Sequence, residues 1–344
     1  METDKKYILV TGGAGYIGSH TVVALIEKGF TPVIIDDFRN SNKDVIQRLQ
    51  TITKQEIIYF NIACQDQPRL RGVLEQFPAF GVIHFAADKA VGESVEKPLK
   101  YFDNNFGSLI SILELIQEYN IEKFVFSSSC TVYGDPEIIP VNEESPVSYN
   151  SPYGYTKKVC EEMIEQFIPS CPSVKATLLR YFNPVGAHES GLIGEEPDGK
   201  PNNLLPFITQ TAAGIRKELT VFGDDYDTPD GTCIRDYIHV VDLAEAHVAA
   251  LESLDDSKDN PVVYNVGTGK GTSVLEMIST FENITGKQLP YTIGPRREGD
   301  IKEIFANTDK VNQKLNWKSK KTIEDAIATA WSFEQYIREK RSKK

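Results

Sequence analysis

Sulfur, basic charge and long apolar runs are all in short supply in this chain. Five cysteines among 344 residues, at 64, 130, 160, 171 and 233, form no C-x-x-C and no metal-ligand spacing. That pattern excludes a disulfide scaffold, gives no reason to expect a metal, and predicts reduced thiols. No apolar run approaches the ~20 residues of a membrane helix, and the N-terminus has no apolar signal core, so a soluble, cytoplasmic protein is expected, with no membrane partner. Lys and Arg number 37 against 49 Asp and Glu, a net charge of −12, which disfavours nucleic acid and anionic lipid as partners. Repeats and low-complexity tracts are missing too; the one biased stretch, the basic end at 338–344, reads as a solvated tail.

What is present begins with Asn150-Ser151-Pro152-Tyr153-Gly154-Tyr155-Thr156-Lys157. Ser151 is a good N-cap, Pro152 suits the first helical position, and Thr156, Val159 and Met163 continue a helical pattern, so Tyr153 and Lys157 share one helical face. For a phenol of pKa ~10 to act as a base at neutral pH, roughly 3 units of depression are needed, about 4 kcal/mol. A lysine ammonium roughly 5 Å away at an effective dielectric of about 20 gives on the order of 3 kcal/mol, and a helix N-terminus adds a few tenths. An isolated Tyr-x-x-x-Lys is more often an ordinary tyrosine beside a solvated lysine, so the pair needs a cofactor site elsewhere in the chain.

The start of the chain supplies that site. The apolar run Tyr7 to Val10 leads into Thr11-Gly12-Gly13-Ala14-Gly15-Tyr16-Ile17-Gly18, then a helical pattern through Val22, Val23, Leu25 and Ile26, then Val33-Ile34-Ile35 ending in Asp36-Asp37. This is the order and length of a βαβ dinucleotide-binding unit, whose glycines allow a tight turn, close approach to a pyrophosphate and tight helix packing. The helix N-terminus receives the phosphates. Asp36 closes the second strand, where a carboxylate accepts from a ribose diol and repels a 2′-phosphate, favouring NAD over NADP. Asn40 and Ser41 follow as further ribose or phosphate contacts or as turn residues.

Alternation continues with strands near 57–60, 82–86 and 124–127 and helices near 69–77 and 98–119. The expected fold is therefore α/β, a Rossmann-type doubly wound parallel sheet, with ligands at the carboxyl ends of its strands. Those ends carry Phe85-Ala86-Ala87-Asp88-Lys89, Ser127-Ser128-Ser129-Cys130-Thr131 and Tyr181-Phe182-Asn183-Pro184-Val185-Gly186. Irregular Gly/Pro/Asn-rich loops after 183 predict a smaller C-terminal α/β lobe that binds substrate. The division is residues 1–182 for the cofactor and 183–344 mainly for substrate, some segments returning to the first part. Arg235 and Arg297 lie in loop-like surroundings, where an arginine either forks onto phosphate or makes a surface salt bridge.

Taken together, Thr11 to Gly18, Ser127-Ser128-Ser129 and Tyr153-x-x-x-Lys157 resemble the extended short-chain dehydrogenase/reductases. Further runs resemble the UDP-glucose 4-epimerase family within them: Gly81 to Ala86, Lys89 to Ser94, Ser127 to Gly134, Leu179 to Ala187, Asn202 to Leu204 and Arg235 to Val240. The similarity extends from the first strand to Trp317. It implies Tyr153 as the base at the sugar 4-hydroxyl, Lys157 on the nicotinamide ribose and Ser129 on the reacting oxygen. Implied NAD contacts are Gly12, Gly15, Tyr16, Ile17, Gly18, Asp36, Asp37, Asn40, Ser41, Asn61, Ile62, Phe85, Ala86, Ala87, Lys89, Asn104, Ser127 and Phe182, with Tyr153 and Lys157. Around the UDP-sugar it implies Lys89, Ser129, Tyr153, Asn183, Asn202, Asn203, Leu204, Val221, Phe222, Arg235, Arg297 and Asp300.

The implied reaction is redox-neutral: a hydride leaves sugar C4, the 4-keto sugar swings about its diphosphate link, and the hydride returns to the other face. Two positions depart from the family pattern. Asn61 replaces an aspartate near the adenine, and Ile304 stands where bacterial-type members carry a tyrosine and others a small residue, which leaves UDP-N-acetylhexosamines undecided. No aldose-epimerase domain such as that fused to some fungal members is expected. A 4,6-dehydratase would need carboxylates after the serine run, where Cys130-Thr131-Val132 has none; an idle NAD-binding regulator would have no need of Ser129, Tyr153 and Lys157. A homodimer through helices 98–119 and 151–168 is expected, although Leu109, Ile112, Leu113, Ile116, Val159 and Met163 are equally able to face the chain's own sheet.

Overall fold

Tyr7–Thr11 becomes an inner strand of a seven-stranded, wholly parallel sheet in the computed structural model, which describes residues 5–197, 199–254, 259–297 and 299–342. Across the sheet the strands run Val262–Val266, Lys175–Tyr181, Lys123–Ser127, Ala79–His84, Tyr7–Thr11, Thr31–Asp36 and Ile58–Asn61. Strands covered on both faces have no reason to alternate, and Lys123–Ser127 is buried at every position. Chain order reverses between Tyr7–Thr11 and Ala79–His84, which opens a crevice above their carboxyl ends.

Helices close both faces. On one, Tyr16–Glu27 and Val240–Ser253 bury Val22, Leu25, Leu243 and Leu251. On the other, Pro98–Glu118 and Pro152–Phe167 bury Leu109, Ile112, Leu113, Ile116 and Ile164 against Phe124 and Phe126. Each such side chain contributes roughly 1.5–3 kcal/mol of transfer free energy. Leu109, Ile112, Leu113 and Ile116 therefore serve the chain's own core, with Met163 packed on it. A helix at Asp44–Thr53 was not expected; Val45, Ile46 and Leu49 give it a buried face.

Beyond residue 183 the second lobe's strands have two to four residues apart from the six of Ile234–His239. Ile234–His239 pairs with Asn183–Val185, Gly271–Ser273 and Glu303–Ile304, and Leu219–Phe222 pairs with Tyr291–Gly294. Leu205, Ile208, Met277, Phe281 and Ile327 form the core of this lobe. The basic end meets its expectation in part: residues 338–342 are mostly exposed to solvent, but they complete the helix Ile323–Ser342 and are not a loose tail. Ile337 is buried, Lys340 pairs with Asp44 at 2.8 Å and Arg341 with Glu196 at 3.4 Å. Residues 343 and 344 lie outside the described residues. All five cysteines are free, and among the described residues no helix is long and apolar enough to cross a membrane and no His, Cys, Asp and Glu cluster is arranged to hold a metal.

Candidate active site

The crevice holds a cavity of about 420 Å³. Gly12, Gly15, Tyr16, Ile17 and Gly18 form its floor, and Asp36, Asp37, Asn40, Ser41 and Ile62 one end. Phe85, Ala86, Ala87, Lys89, Asn104 and Ser127 line a wall, and Tyr153, Lys157, Asn202 and Asn203 close it. Gly12 has φ +69°, and a Cβ there would lie 2.9 Å from the Ala86 nitrogen; at Gly18 it would lie 2.2 Å from the Gly12 carbonyl oxygen. Gly15 caps Tyr16–Glu27 with no side chain accepting from the first turn, so the helix presents amide N–H groups and its positive end to the cleft. Asp36 is oriented by donors from Ala14 N at 3.0 Å, Phe38 N at 2.9 Å and Ser41 Oγ at 3.0 Å, and burial pushes its carboxyl up.

Ser151 accepts from Gly154 N at 3.1 Å, and Pro152 opens the helix that carries Tyr153 and Lys157. Both are buried. Lys157 Nζ donates to the Ser127 carbonyl at 2.7 Å and sits 6.0 Å from the Tyr153 ring centre. Ser127 Oγ and Tyr181 OH are 2.8 Å apart, and the Ser129 hydroxyl, which accepts from Thr131 N at 3.3 Å, lies close enough to the Tyr153 phenol to favour its ionised form. Burial raises the phenol well above its ordinary pKa, with nearby Tyr181 adding to the rise and Ser129 opposing it. Burial likewise brings Lys157 down to about 8, against Cys160 and Glu161. The Coulomb argument from sequence therefore needs correcting: desolvation outweighs what the lysine gives, and the resting phenol is protonated.

A second group of predicted residues lies away from the cavity lining. Arg297 Nη2 meets Asp300 at 2.6 Å, Arg235 Nη2 approaches the same carboxylate at 3.9 Å, and the Arg297 guanidinium lies 5.7 Å over Phe222. Asn183 opens a strand of the second lobe, Leu204 begins the helix Leu204–Ala212, and Val221 is buried in that lobe's core. Asn61 is exposed at a strand end, and Phe182 is buried beside Ile304, Val132, Tyr133 and Val141. Ile304 itself is 3 % exposed and pairs in register with Arg235.

Several cleft residues escaped the sequence. Glu195 accepts from Asn203 Nδ2 at 2.6 Å and pairs with Lys89 Nζ at 3.2 Å, linking the two lobes across the cavity. Tyr16 OH donates to the Gly186 carbonyl at 2.6 Å, a second link. Arg39 donates to Asn104, as does Gln65 at 3.3 Å. Nothing local marks Glu195 among the carboxylates of its loop; only the Gly/Pro/Asn-rich character of 183–203 pointed there.

The glycine-floored cleft and the buried Tyr/Lys/Ser group agree with the family comparison. The NAD dependent epimerase/dehydratase family model matches residues 8–267. The chain belongs to this family. It is 48% identical over 334 residues to UDP-glucose 4-epimerase of Dictyostelium discoideum, covering 97% of each chain. Among solved structures it resembles UDP-glucose 4-epimerase of Stenotrophomonas maltophila with bound NAD and formylated UDP-arabinopyranose (TM-score 0.95, 44% identity, 97% of this chain and 99% of that one). It also resembles the Bifidobacterium longum enzyme in complex with NAD+ and UDP (TM-score 0.92, 44% identity, 96% and 98%). The cleft fits the cofactor of an NAD dependent epimerase/dehydratase: bare glycines where a diphosphate must approach, an uncapped helix start, and a fixed carboxylate at the second strand's end.

Proposed function

We infer that the chain catalyses the NAD-dependent, reversible epimerisation of UDP-hexoses at C4, interconverting UDP-galactose and UDP-glucose through a transient 4-keto sugar, as a step of galactose metabolism. The observation that carries this reading is the burial of Tyr153 and Lys157 in the same cleft as the glycine floor. NAD, when bound, supplies a hydride acceptor and a positively charged ring.

With that positive ring held beside it the Tyr153 phenol would lose its proton, and the phenolate would then take the proton of the sugar 4-hydroxyl and later return it, while Ser129 hydrogen-bonds the reacting oxygen and Lys157 holds the nicotinamide ribose. Gly12, Gly15, Tyr16, Ile17 and Gly18 seat the diphosphate and Asp36 the adenosine ribose. Asp37, Asn40, Ser41, Asn61, Ile62, Phe85, Ala86, Ala87, Lys89, Asn104, Ser127 and Phe182 complete that site. Arg235 and Arg297 grip the UDP diphosphate beside Asp300, with Asn183, Asn202, Asn203, Leu204, Val221 and Phe222 around the rest. A firm hold on UDP and a loose one on the hexose lets the keto sugar turn over without leaving. On this reading residues 1–182 bind NAD and 183–344 mainly bind UDP-sugar, with the helix Val240–Ser253 and strand Val262–Val266 returning to the first sheet.

The chain acts as a cytoplasmic homodimer. Its free thiols support the compartment. Phe102 and Phe106 stack at 5.7 Å and meet Tyr155 at 5.6 Å and 6.3 Å, with Tyr149 5.0 Å from Tyr155 and Ile110 exposed nearby on the helix, a half-buried aromatic face suited to a second copy. Light scattering at micromolar concentration should give twice the 38.5 kDa chain mass; the single-chain mass would refute the dimer.

The test of the activity is turnover of UDP-galactose by purified protein with no added NAD, stopped and cleared of the protein before UDP-glucose is measured with UDP-glucose dehydrogenase and its own NAD. Activity is expected, because release of reduced cofactor would strand the keto sugar. No turnover even after NAD is supplied would overturn the assignment, and a parallel UDP-GlcNAc sample decides what Ile304 admits.

A further inference from the structure

Ser127, Ser128 and Ser129 follow one another out of the sheet, and only the outer two touch the reacting pair. Ser127 receives Lys157 Nζ on its carbonyl at 2.7 Å, and Ser129, its hydroxyl held by Thr131 N at 3.3 Å, stands beside the Tyr153 phenol. Ser128 is fully buried and, unlike Ser127, does not line the cleft. Its hydroxyl donates to Glu161, which stands one helical turn beyond Lys157 on the same helix.

Glu161 is itself held rigidly. Arg180, on the neighbouring strand, donates to it through Nε at 3.0 Å and Nη2 at 2.7 Å. Arg180 Nη1 also donates to Tyr133 OH at 3.1 Å, and Tyr133 OH to Asn265 Oδ1 on the edge strand Val262–Val266 at 2.6 Å. Ser128, Glu161 and Arg180 are 0%, 3% and 5% exposed. A buried ion pair gains little net stability over apolar packing, so its value lies in the geometry it enforces.

We propose that Ser128 and Glu161 are positioning residues for the epimerase reaction: Glu161, clamped by Arg180, grips the middle of the serine run and sets Ser127 and Ser129 relative to Lys157 and Tyr153. This rests on the functional reading above. It assigns to the buried side of the active-site helix a task distinct from binding either ligand.

Ser128→Ala tests the grip without unpairing a buried charge, because Glu161 and Arg180 keep each other. Glu161→Asp shortens the reach toward Ser128 while retaining an acid for Arg180. Each variant should lose about ten-fold or more in kcat, counted per folded chain holding NAD, while KM for UDP-galactose stays within about two-fold. The double variant should be no worse than the poorer single, because both break one link. A kcat within about two-fold of the parent alongside a lowered melting temperature would make the network merely structural and overturn the proposal, as would losses that multiply in the double variant. If the unaltered protein fails to turn over UDP-galactose, the functional reading fails first and the positioning role falls with it.

Discussion

The cofactor cleft and the arginine corner of the second lobe are built in opposite ways. The cleft's glycine floor and its terminal Asp36 come from one continuous strand, turn, helix and strand, so their spacing in the chain is their spacing in space. The corner gathers Phe222, Arg235, Arg297 and Asp300 from separate segments, and its two arginines already share one carboxylate. A site made of backbone and small residues is rigid before any ligand arrives. A site made of long charged side chains must exchange one anion for another, which suits a substrate that enters and leaves each cycle.

Substitutions should separate the two regions. Tyr153→Phe, in the cleft, should lower kcat by about a thousand-fold with little change in KM, since general-base catalysis supplies about 10²–10⁴. Steady-state kinetics would show it, and undiminished turnover would place the base elsewhere. Arg235→Ala should act on the other region, raising KM for UDP-galactose by about 10- to 100-fold, the equivalent of a charged hydrogen bond of roughly 1.5–3 kcal/mol, while NAD stays bound. Arg297→Ala should cost less, its side chain being 58% exposed. Equal effects of the two arginines, or loss of NAD from either variant, would erase the distinction between the regions. Gly18→Ala forces a methyl against the Gly12 carbonyl and should cost about 1–3 kcal/mol, seen as a lowered melting temperature and protein purified without cofactor.

The smallest effect per group is acid sensitivity, and it should touch both regions. Burial brings His20 and His84 to about 3 and His239 and His247 to about 4. A histidine held neutral in the fold but free to protonate when unfolded stabilises above its unfolded pKa of ~6.5, and that stability falls as pH drops toward the folded value. Between pH 7 and 6 each should cost about 0.7 kcal/mol, rising toward about 1.4 kcal/mol per further unit. Buried carboxyls raised by burial, such as Asp36 and Asp236, work in the opposite sense but only nearer the carboxylate range. Denaturant melts at pH 7 and 6 measure the difference, and equal stability at the two values would contradict it.

How much of this was legible in the sequence follows the same division. The βαβ unit and the Ser151-Pro152 helix start are local signals, and the folded chain brings Gly12, Asp36, Tyr153 and Lys157 into one cleft. Burial is not local. Counting the lysine and the helix N-terminus without burial made the Tyr153 phenol easy to ionise, whereas its enclosure dominates. The Glu195 link between Lys89 and Asn203, and the return of Val262–Val266 to the first sheet, depend on chain paths that no short pattern encodes. The helical form of the basic end was missed because the positions that anchor it, Phe333 and Ile337, lie before the charged stretch, whose own described residues are mostly exposed.

The central claim is that the hydride taken from C4 stays within one closed site and returns to the same sugar. UDP-galactose carrying deuterium at C4 tests it most directly, with the UDP-glucose product read by mass spectrometry after many turnovers in ordinary water. Full retention of the label at C4 is predicted. Loss of deuterium to solvent would contradict the account and point to proton exchange at carbon instead of an internal hydride.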